Sequence, residues 1–281
     1  MKKAHLALIL FLLLASPSLA ELRITAPAEV FQGRSFIVFI ASPEAYKEAY
    51  LYFDEKKIPF FAYEQGLRAI VGCEPEKRTG DYPLRIEATT RKGKLEVYNT
   101  SIAVSSRLYP KVSFWLKPAK KKLLTPDLIQ QEWAEIEKVI LVETPLKQWW
   151  GNFGRPVSGV ITMVFGTREY VNGKVSGRHR GCDFRAKVGT PVKAPHNGKV
   201  IFARHLKAFG GTLVIDHGQG IQTLYFHLSK ILAPVGTKVG RGQVIARTGN
   251  SGISSGPHLH WGMSVHNVRV DPLQWVETVM P

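Results

Sequence analysis

Five side chains in the second half of the chain have the types and the spacing of a metal centre. The segment SGRHRGCDF places His179 four residues before Asp183, and GPHLHW places His258 two residues before His260. Between them, TLYFHL contributes His227. Two neutral imidazoles and one carboxylate suit zinc and leave one coordination position for water. Zinc lowers the pKa of such a water towards ~7, and the two remaining histidines could exchange protons with it.

These side chains can act together only if the segments that carry them are extended. Residues two apart face the same side of a strand but nearly opposite sides of a helix. The HLH segment therefore predicts a strand on which His258 and His260 share one face, although the spacing does not decide which of them is the ligand. By the same rule, Tyr225 and His227 are predicted to share a reactive face.

The HRGCD segment is compatible with a strand or a helix, and as a strand it makes a definite prediction. His179, Gly181 and Asp183 would share a face, and the missing side chain of Gly181 would leave space for an ion above the backbone. Cys182 would then point away from this face. We therefore predict that Cys182 is a packed thiol and that it forms no disulfide with Cys73.

The charge distribution separates the two halves of the chain. Eight of the nine histidines lie between residues 179 and 266, and only five of the 22 Asp and Glu residues follow residue 150. The net charge is +16, and the half after residue 150 carries 16 of the 38 Lys and Arg residues. A basic exported domain is attracted to anionic polymers, so we expect anionic cell-envelope polymers as partners. No recognition-helix motif and no aromatic–basic repeat indicates nucleic acid, and we expect none as a partner.

The first twenty residues, MKKAHLALILFLLLASPSLA, have the pattern of a secretory signal. Two lysines precede an apolar run that is short for a membrane span, and small residues precede the expected cleavage site. We predict a signal peptide over 1–20, export to the periplasm or the extracellular cell wall, and no stable membrane span after signal removal. A retained anchor is the alternative. No cysteine follows the run, which argues against a lipoprotein.

The patterning predicts a mainly β protein with three parts after the signal. Residues 21–105 contain β-rich runs such as SFIVFI and YPLRIEA, which predict a small β-sandwich as an accessory domain. Residues 106–150 form a connector with one helix, TPDLIQQEWAEIEKVI, whose apolar stripe is expected to pack on a neighbouring domain. Residues 151–281 consist of glycine-punctuated strands and predict a compact antiparallel β domain.

The segment 152–275 resembles the lysostaphin-type, or LytM-like, zinc peptidases that cut peptidoglycan cross-links. The resemblance rests on VFGTRE, HRGCDF, GTPVKAPHNGKV, GGTLVIDHGQG, TLYFHL, GTKVGRGQVIARTGNSG and GPHLHW, which occur in the family's order. It implies an antiparallel fold with a groove and one zinc ion bound by His179, Asp183 and His260. It also implies that His227 and His258 are the catalytic pair, with Tyr170 as a further candidate that would assist the oxyanion.

The resemblance leads us to expect an exported zinc metalloendopeptidase that hydrolyses peptide bonds in peptidoglycan peptides. In the alternative, the chain is a non-catalytic LytM-like activator of a cell-wall amidase or a wall-binding protein; in a third, it is an exported metallopeptidase that cuts proteins. The sequence leaves open whether the cross-link contains a D-alanyl–diaminopimelate bond or a polyglycine bridge. A further hypothesis is that the accessory domain and the connector cover the groove.

Overall fold

The computed structural model describes residues 23–41, 46–64 and 66–280, so the predicted signal peptide lies outside them. Strands dominate this part of the chain, which confirms the predicted mainly β fold class. Three helices accompany the strands in the described residues, and none of them is long and apolar enough to cross a membrane. The three-part division of the chain stays a prediction, but each predicted part can be followed in the structure.

The accessory domain contains two facing sheets. Its strands are β1 Arg23–Thr25, β2 Glu29–Phe31, β3 Ser35–Ala41, β4 Tyr46–Phe53, β5 Lys56–Pro59, β6 Phe61–Tyr63, β7 Gly66–Gly72, β8 Gly80–Thr90 and β9 Leu95–Ser105. One sheet has the order β1-β3-β7-β6 and the other β2-β9-β8-β4-β5. The alternation in SFIVFI buries Phe36, Val38 and Ile40 against Leu51 and Ile86 of the second sheet, which gives the sandwich its core.

The connector contains more structure than the single predicted helix. Its elements are β10 Lys111–Phe114, α1 Pro118–Lys121 and α2 Pro126–Ile140. Thr125 precedes α2 in the N-cap position, but its side chain makes no capping hydrogen bond. The apolar stripe of α2 buries Ile136 and Ile140 against Phe202, Leu224 and neighbouring residues of the second half. This helix therefore completes a core of the domain that follows it.

A carboxylate on α2 fixes the helix to a loop of the second half. Glu132 is buried and accepts hydrogen bonds from the backbone N–H groups of Lys207, Ala208 and Phe209, with N–O distances of 2.6, 2.9 and 3.2 Å. Trp133, the next residue, packs near the ring of Phe209. Three charge-assisted hydrogen bonds to one carboxylate hold both partners in a single geometry.

The second half is built around one large antiparallel sheet. Its elements are β11 Ile161–Met163, β12 Arg168–Val171, β13 Lys174–Arg178, β14 Cys182–Arg185, β15 Pro191–Lys193, β16 Gly198–Leu206, β17 Gly210–Gly218, β18 Ile221–Leu228, β19 Lys230–Ile231, β20 Lys238–Val239, β21 Val244–Arg247, β22 His258–Val265, β23 Val268–Val270 and α3 Pro272–Glu277. The sheet has the order β11-β14-β22-β18-β17-β16-β20, and β23 pairs with β22. A small sheet joins β15, β21 and β19, and β10 of the connector pairs in parallel with β12, which also pairs with β13.

The accessory domain packs against the last strands of the second half. Ile70 of β7 lies in one apolar cluster with Val268, Val270 and Trp275. Gly72 permits this approach, because a Cβ atom there would lie 2.8 Å from the Cβ of Val268. The accessory domain is therefore in direct contact with β23, the neighbour of the strand that carries HLH.

Candidate metal centre

The structure brings His179, Asp183 and His260 together. Asp183 on β14 is directly opposite His260 on β22, and His179 lies in the turn just before β14. Potential ligand atoms of the three side chains all lie within 4.8 Å of one another. His179 Nε2 is 3.0 Å and His260 Nδ1 is 2.9 Å from Asp183 Oδ1. Two nitrogens and one carboxylate oxygen thus converge on one point.

The bonding of His179 fits a metal ligand. Its Nδ1–H donates to Glu169 Oε1 over 2.8 Å, so the lone pair of the neutral ring is on Nε2. Nε2 is buried and forms no hydrogen bond, despite its short distance to Asp183. A carboxylate bonded to the outer nitrogen is the usual arrangement around a metal-bound histidine. Ligand atoms that lie about 2.0–2.2 Å from one tetrahedral zinc are about 3.3–3.6 Å apart, so the 3.0 and 2.9 Å distances to Asp183 Oδ1 would have to widen slightly for an ion to bind.

The electrostatics of the cluster favour a positive charge beside Asp183. Burial alone would raise the pKa of Asp183, but His179 and the hydrogen bond from His260 hold it well below its ordinary value. Burial alone would lower the pKa of His179, but the Asp183 and Glu169 carboxylates raise it to about 9. Burial lowers the pKa of His260 to about 4. The cluster therefore stabilises one cation next to the carboxylate, and a metal ion competes with a proton for that place.

His227 and His258 lie beside this cluster as a pair. Their ring centroids are 4.9 Å apart, and His258 Nε2 is 3.6 Å from Asp183 Oδ2. Each Nδ1 is bonded to a backbone carbonyl, that of Ser251 at 2.9 Å and that of Gly256 at 2.8 Å. Because a carbonyl only accepts, each Nδ1 carries the proton and each Nε2 is the basic nitrogen. Burial and the neighbouring histidines hold the pKa of His227 well below its ordinary value.

The prediction that residues two apart share one face of a strand is confirmed for His258 and His260 on β22, but it fails for Tyr225 and His227 on β18. His258 and His260 both line one cavity, whereas Leu259 and Trp261 are buried in the core behind them. On β18, His227 has a φ of +61°, which interrupts the alternation, and both Phe226 and His227 line the cavity. Tyr225 is fully buried in the core, with its hydroxyl bonded to Thr223. The prediction that Tyr225 shares a reactive face with His227 is therefore wrong.

The HRGCD segment is only partly extended, because β14 begins at Cys182. The expected space above Gly181 is filled: a Cβ atom there would lie 2.6 Å from His260 Nε2 and against the backbone of Trp261. Glycine is needed at this position for the close approach of β22 and does not create room for an ion. Cys182 is buried and unpaired, as predicted, and so is Cys73.

A cavity of about 580 Å³ adjoins the five predicted residues. Its walls come from all three parts of the chain: Glu74 of the accessory domain, Trp133 and other residues of the connector, and the histidine cluster. Glu169 and Val171 line it, but Tyr170, which lies between them on β12, does not. A role for Tyr170 at the oxyanion thus has no support from its position.

Sequence reasoning missed Glu169, which bonds the outer nitrogen of His179. It lies on β12, ten residues before His179, and reaches that ring because β12 and β13 pair as a hairpin. One signal was available, since Glu169 is one of the five acidic residues after residue 150. A carboxylate close in sequence to a predicted histidine ligand is a candidate hydrogen-bond partner for the outer nitrogen of that histidine.

Residues 177–272 match the model of "Peptidase family M23". Residues 177–272 therefore match an M23 peptidase domain, and we call them the M23 domain. This result confirms the resemblance to the lysostaphin and LytM group. The M23 domain spans every predicted residue of the cluster, from His179 to His260.

Two curated proteins are similar to part of this chain. A metalloprotease of Haemophilus influenzae is 42% identical over 107 residues, which are 38% of this chain and 22% of that protein. The peptidoglycan DD-endopeptidase ShyA of Vibrio cholerae is 43% identical over 96 residues, which are 34% of this chain and 22% of that protein. The chain thus spans about a fifth of the length of each of these relatives.

One solved structure is similar over most of the chain. It is a crystal structure assigned to peptidase M23, from Pseudomonas aeruginosa, with a TM-score of 0.66 and 26% sequence identity. The match covers 88% of this chain and 95% of that one. A match of this extent includes residues outside the M23 domain.

Proposed function

We propose that the chain is an exported zinc metalloendopeptidase that hydrolyses peptide bonds in peptidoglycan cross-links. The observation that carries the proposal is the convergence of His179 Nε2, Asp183 Oδ1 and His260 Nδ1 beside a cavity. These three atoms would hold the ion. Bound there, zinc supplies a water of lowered pKa and a Lewis acid for the carbonyl of the substrate.

The roles of the remaining residues follow from their bonded nitrogens. His227 and His258 each bond a backbone carbonyl through Nδ1, so Nε2 is the nitrogen that can accept a proton from an attacking water and return it to the leaving amine. The Ser251 and Gly256 carbonyls fix both rings and their tautomers. Glu169 orients His179 and increases its basicity. Phe226 and Trp133 add apolar walls that limit the access of bulk water.

Substrate and location are part of the same proposal. A cell-wall substrate requires export, which the first twenty residues were predicted to direct. The excess of 16 Lys and Arg over five Asp and Glu after residue 150 would hold the protein near anionic polymers of the envelope. The name of the similar ShyA protein, a peptidoglycan DD-endopeptidase, supports the substrate class.

Zinc content and release of peptide fragments from purified sacculi test the proposal. We expect one bound zinc per wild-type chain and fragments whose masses identify a cleaved cross-link. His258→Ala should retain the ion but lose about 10²- to 10⁴-fold in rate, because it removes a proton acceptor and no ligand. His205→Ala, in which an exposed histidine is replaced, is the matched control and should behave as wild type. Full activity of His258→Ala would refute its role, and an inactive wild type that stimulates an amidase would indicate the activator.

A further inference from the structure

Arg269 lies beside the histidine cluster on the neighbouring strand. It is in the middle of β23 and directly opposite Ser264 of β22. Ser264 follows His258, His260 and Gly262 at steps of two along β22, so these residues lie on one face of the sheet. The Arg269 side chain is on the same face, since it lines the same cavity as both histidines.

The guanidinium of Arg269 occupies the place that a side chain at residue 262 would fill. A Cβ atom on Gly262 would lie 3.0 Å from Arg269 Cζ and still closer to Nη2. Gly262 is two residues beyond His260, and two residues of a strand span about 6.8 Å. The guanidinium of Arg269 is therefore about two residues along β22 from the predicted metal centre. Only glycine at residue 262 permits this arrangement.

Arg269 has no carboxylate partner in the described part of the chain. Its Nη2 donates to the carbonyl oxygen of Arg180 over 2.6 Å, and its Cζ lies 5.3 Å from the centre of the Trp133 ring. Nε is buried and makes no hydrogen bond. Burial and the positive charge of Arg180 both lower the pKa of Arg269. A buried donor without an acceptor is destabilising, and an anionic ligand bonded to it would remove this cost.

The other charged side chains that face the cavity each have a polar or charged partner. Arg180 forms an ion pair with Glu76 at 2.9 Å, and Arg178 is 3.8 Å from the same carboxylate. Glu169 bonds His179, Glu137 accepts from Asn267, and Glu74 pairs with Lys56. Among the charged groups of the lining, Arg269 is thus the one with an unsatisfied donor and no counter-charge.

We propose that Arg269 binds a free carboxylate of the substrate, within about two residues of the peptide bond that is cut. The distance rests on an extended peptide, which advances about 3.3–3.6 Å per residue. This inference rests on the proposed function and specifies its substrate class. The cross-link is one that carries a carboxylate, such as a D-alanyl–diaminopimelate bond, and a neutral polyglycine bridge is disfavoured.

A pair of synthetic cross-linked peptides tests the assignment. One carries the free carboxylate of the diaminopimelate residue, and the other carries the primary amide at the same position. We expect full-length wild type to show a kcat/KM about 10- to 100-fold higher for the carboxylate, the range for a hydrogen bond to a charged group. Arg269→Gln should lose this preference because its kcat/KM falls for the carboxylate peptide. Arg204→Gln should keep the preference, because Arg204 is on the surface and pairs with Glu135. Equal rates of wild type on both peptides would overturn the assignment.

Binding provides a second measurement that does not depend on turnover. Fluorescence anisotropy of both labelled peptides with full-length His258→Ala should show tighter binding of the carboxylate, and adding Arg269→Gln should abolish the difference. Arg269→Lys keeps the charge and should retain part of the preference if the glutamine variant fails to fold. Failure of wild type to cut either peptide or sacculi would overturn the proposed function, whereas equal binding of the two peptides would overturn only the role of Arg269.

Discussion

The histidines packed inside the M23 domain form two groups that differ in their hydrogen bonds. In the predicted centre, His179, His227 and His258 each bond one ring nitrogen to a protein oxygen and turn the other towards Asp183 or the cavity. In the second group, His196 and His217 lie behind the sheet, and both are completely buried. Residue type and burial are nearly the same, so neither distinguishes a reactive histidine from a structural one.

The second group uses both nitrogens of each ring. His217 Nδ1 is 2.6 Å from the Asn197 carbonyl oxygen, and its Nε2 is 2.8 Å from Thr223 Oγ1. His196 Nδ1 accepts from the backbone N–H of Asn197, and its Nε2 meets the backbone of Trp150. Burial lowers the pKa of His217 to about 3 and that of His260 to about 4, so the pKa separates the groups no better than burial does. An unused ring nitrogen thus separates the three histidines of the predicted centre from His196 and His217. It does not mark the centre by itself, because His266, outside the cluster, bonds Glu143 through Nδ1 and has a buried Nε2 without a hydrogen bond.

The largest loss of metal affinity is expected for one of two buried carboxylates, Asp183, and the other, Asp216, is its control. Asp183→Asn removes the charge at the centre of the cluster, and metal affinity should fall by more than about 100-fold, beyond the loss for an outer partner. Asp216→Asn is the matched control, because Asp216 accepts from Thr144 and from the backbone N–H of Gly218 away from the cluster. Zinc titration of both variants checks this. Equal losses would show that the two regions do not differ in function.

An intermediate effect is expected for Glu169→Gln. The amide still contacts His179 Nδ1 but no longer supplies a negative charge, so zinc should bind about 10- to 100-fold more weakly while the fold is retained. Glu137→Gln, on the opposite wall of the same cavity, should bind zinc as wild type does. Competition with a chelator measures both affinities. An unchanged affinity of Glu169→Gln would remove Glu169 from the metal centre.

The smallest effect on function is expected for His217→Gln, which should keep zinc and activity but lose about 1–3 kcal/mol of stability. Because the folded pKa of about 3 lies below the ordinary value of 6.5, the unfolded chain binds a proton first as the pH falls. His217 therefore costs the wild type up to about 1.4 kcal/mol per pH unit between these values. Denaturant unfolding at several pH values should show a flatter profile for His217→Gln, while exposed His205→Gln keeps the wild-type profile. A loss of zinc in His217→Gln would contradict the comparison.

The sequence predicted what depends on local periodicity. Alternation in HLHW places His258 and His260 on one face of β22 and Leu259 in the core, and the structure has that arrangement. The fold class followed from the same strand patterns and glycine turns. Residues about 80 apart could be assigned to one cluster because few carboxylates and many histidines occur in this half.

The details that sequence reasoning missed depend on pairing between distant strands. The irregular backbone at His227 brings its side chain to the cavity beside Phe226, while Tyr225 stays in the core on the other face, and no local pattern indicates this. Glu169 reaches His179 only through the hairpin of β12 and β13. Gly181 and Gly262 make room for β22 and for Arg269, which requires knowledge of what lies across from each glycine. These facts belong to tertiary structure and not to spacing along the chain.

The packing of α2 has a practical consequence for dissection of the protein. A fragment starting at Gly151 coincides with the predicted domain boundary, but it would uncover Phe202, Leu224 and Phe226 on the face of the sheet that α2 covers. It would also leave three backbone amides of residues 207–209 without their carboxylate. An exposed apolar surface of this kind promotes aggregation during expression. The smallest soluble unit should therefore include the helix that precedes the M23 domain.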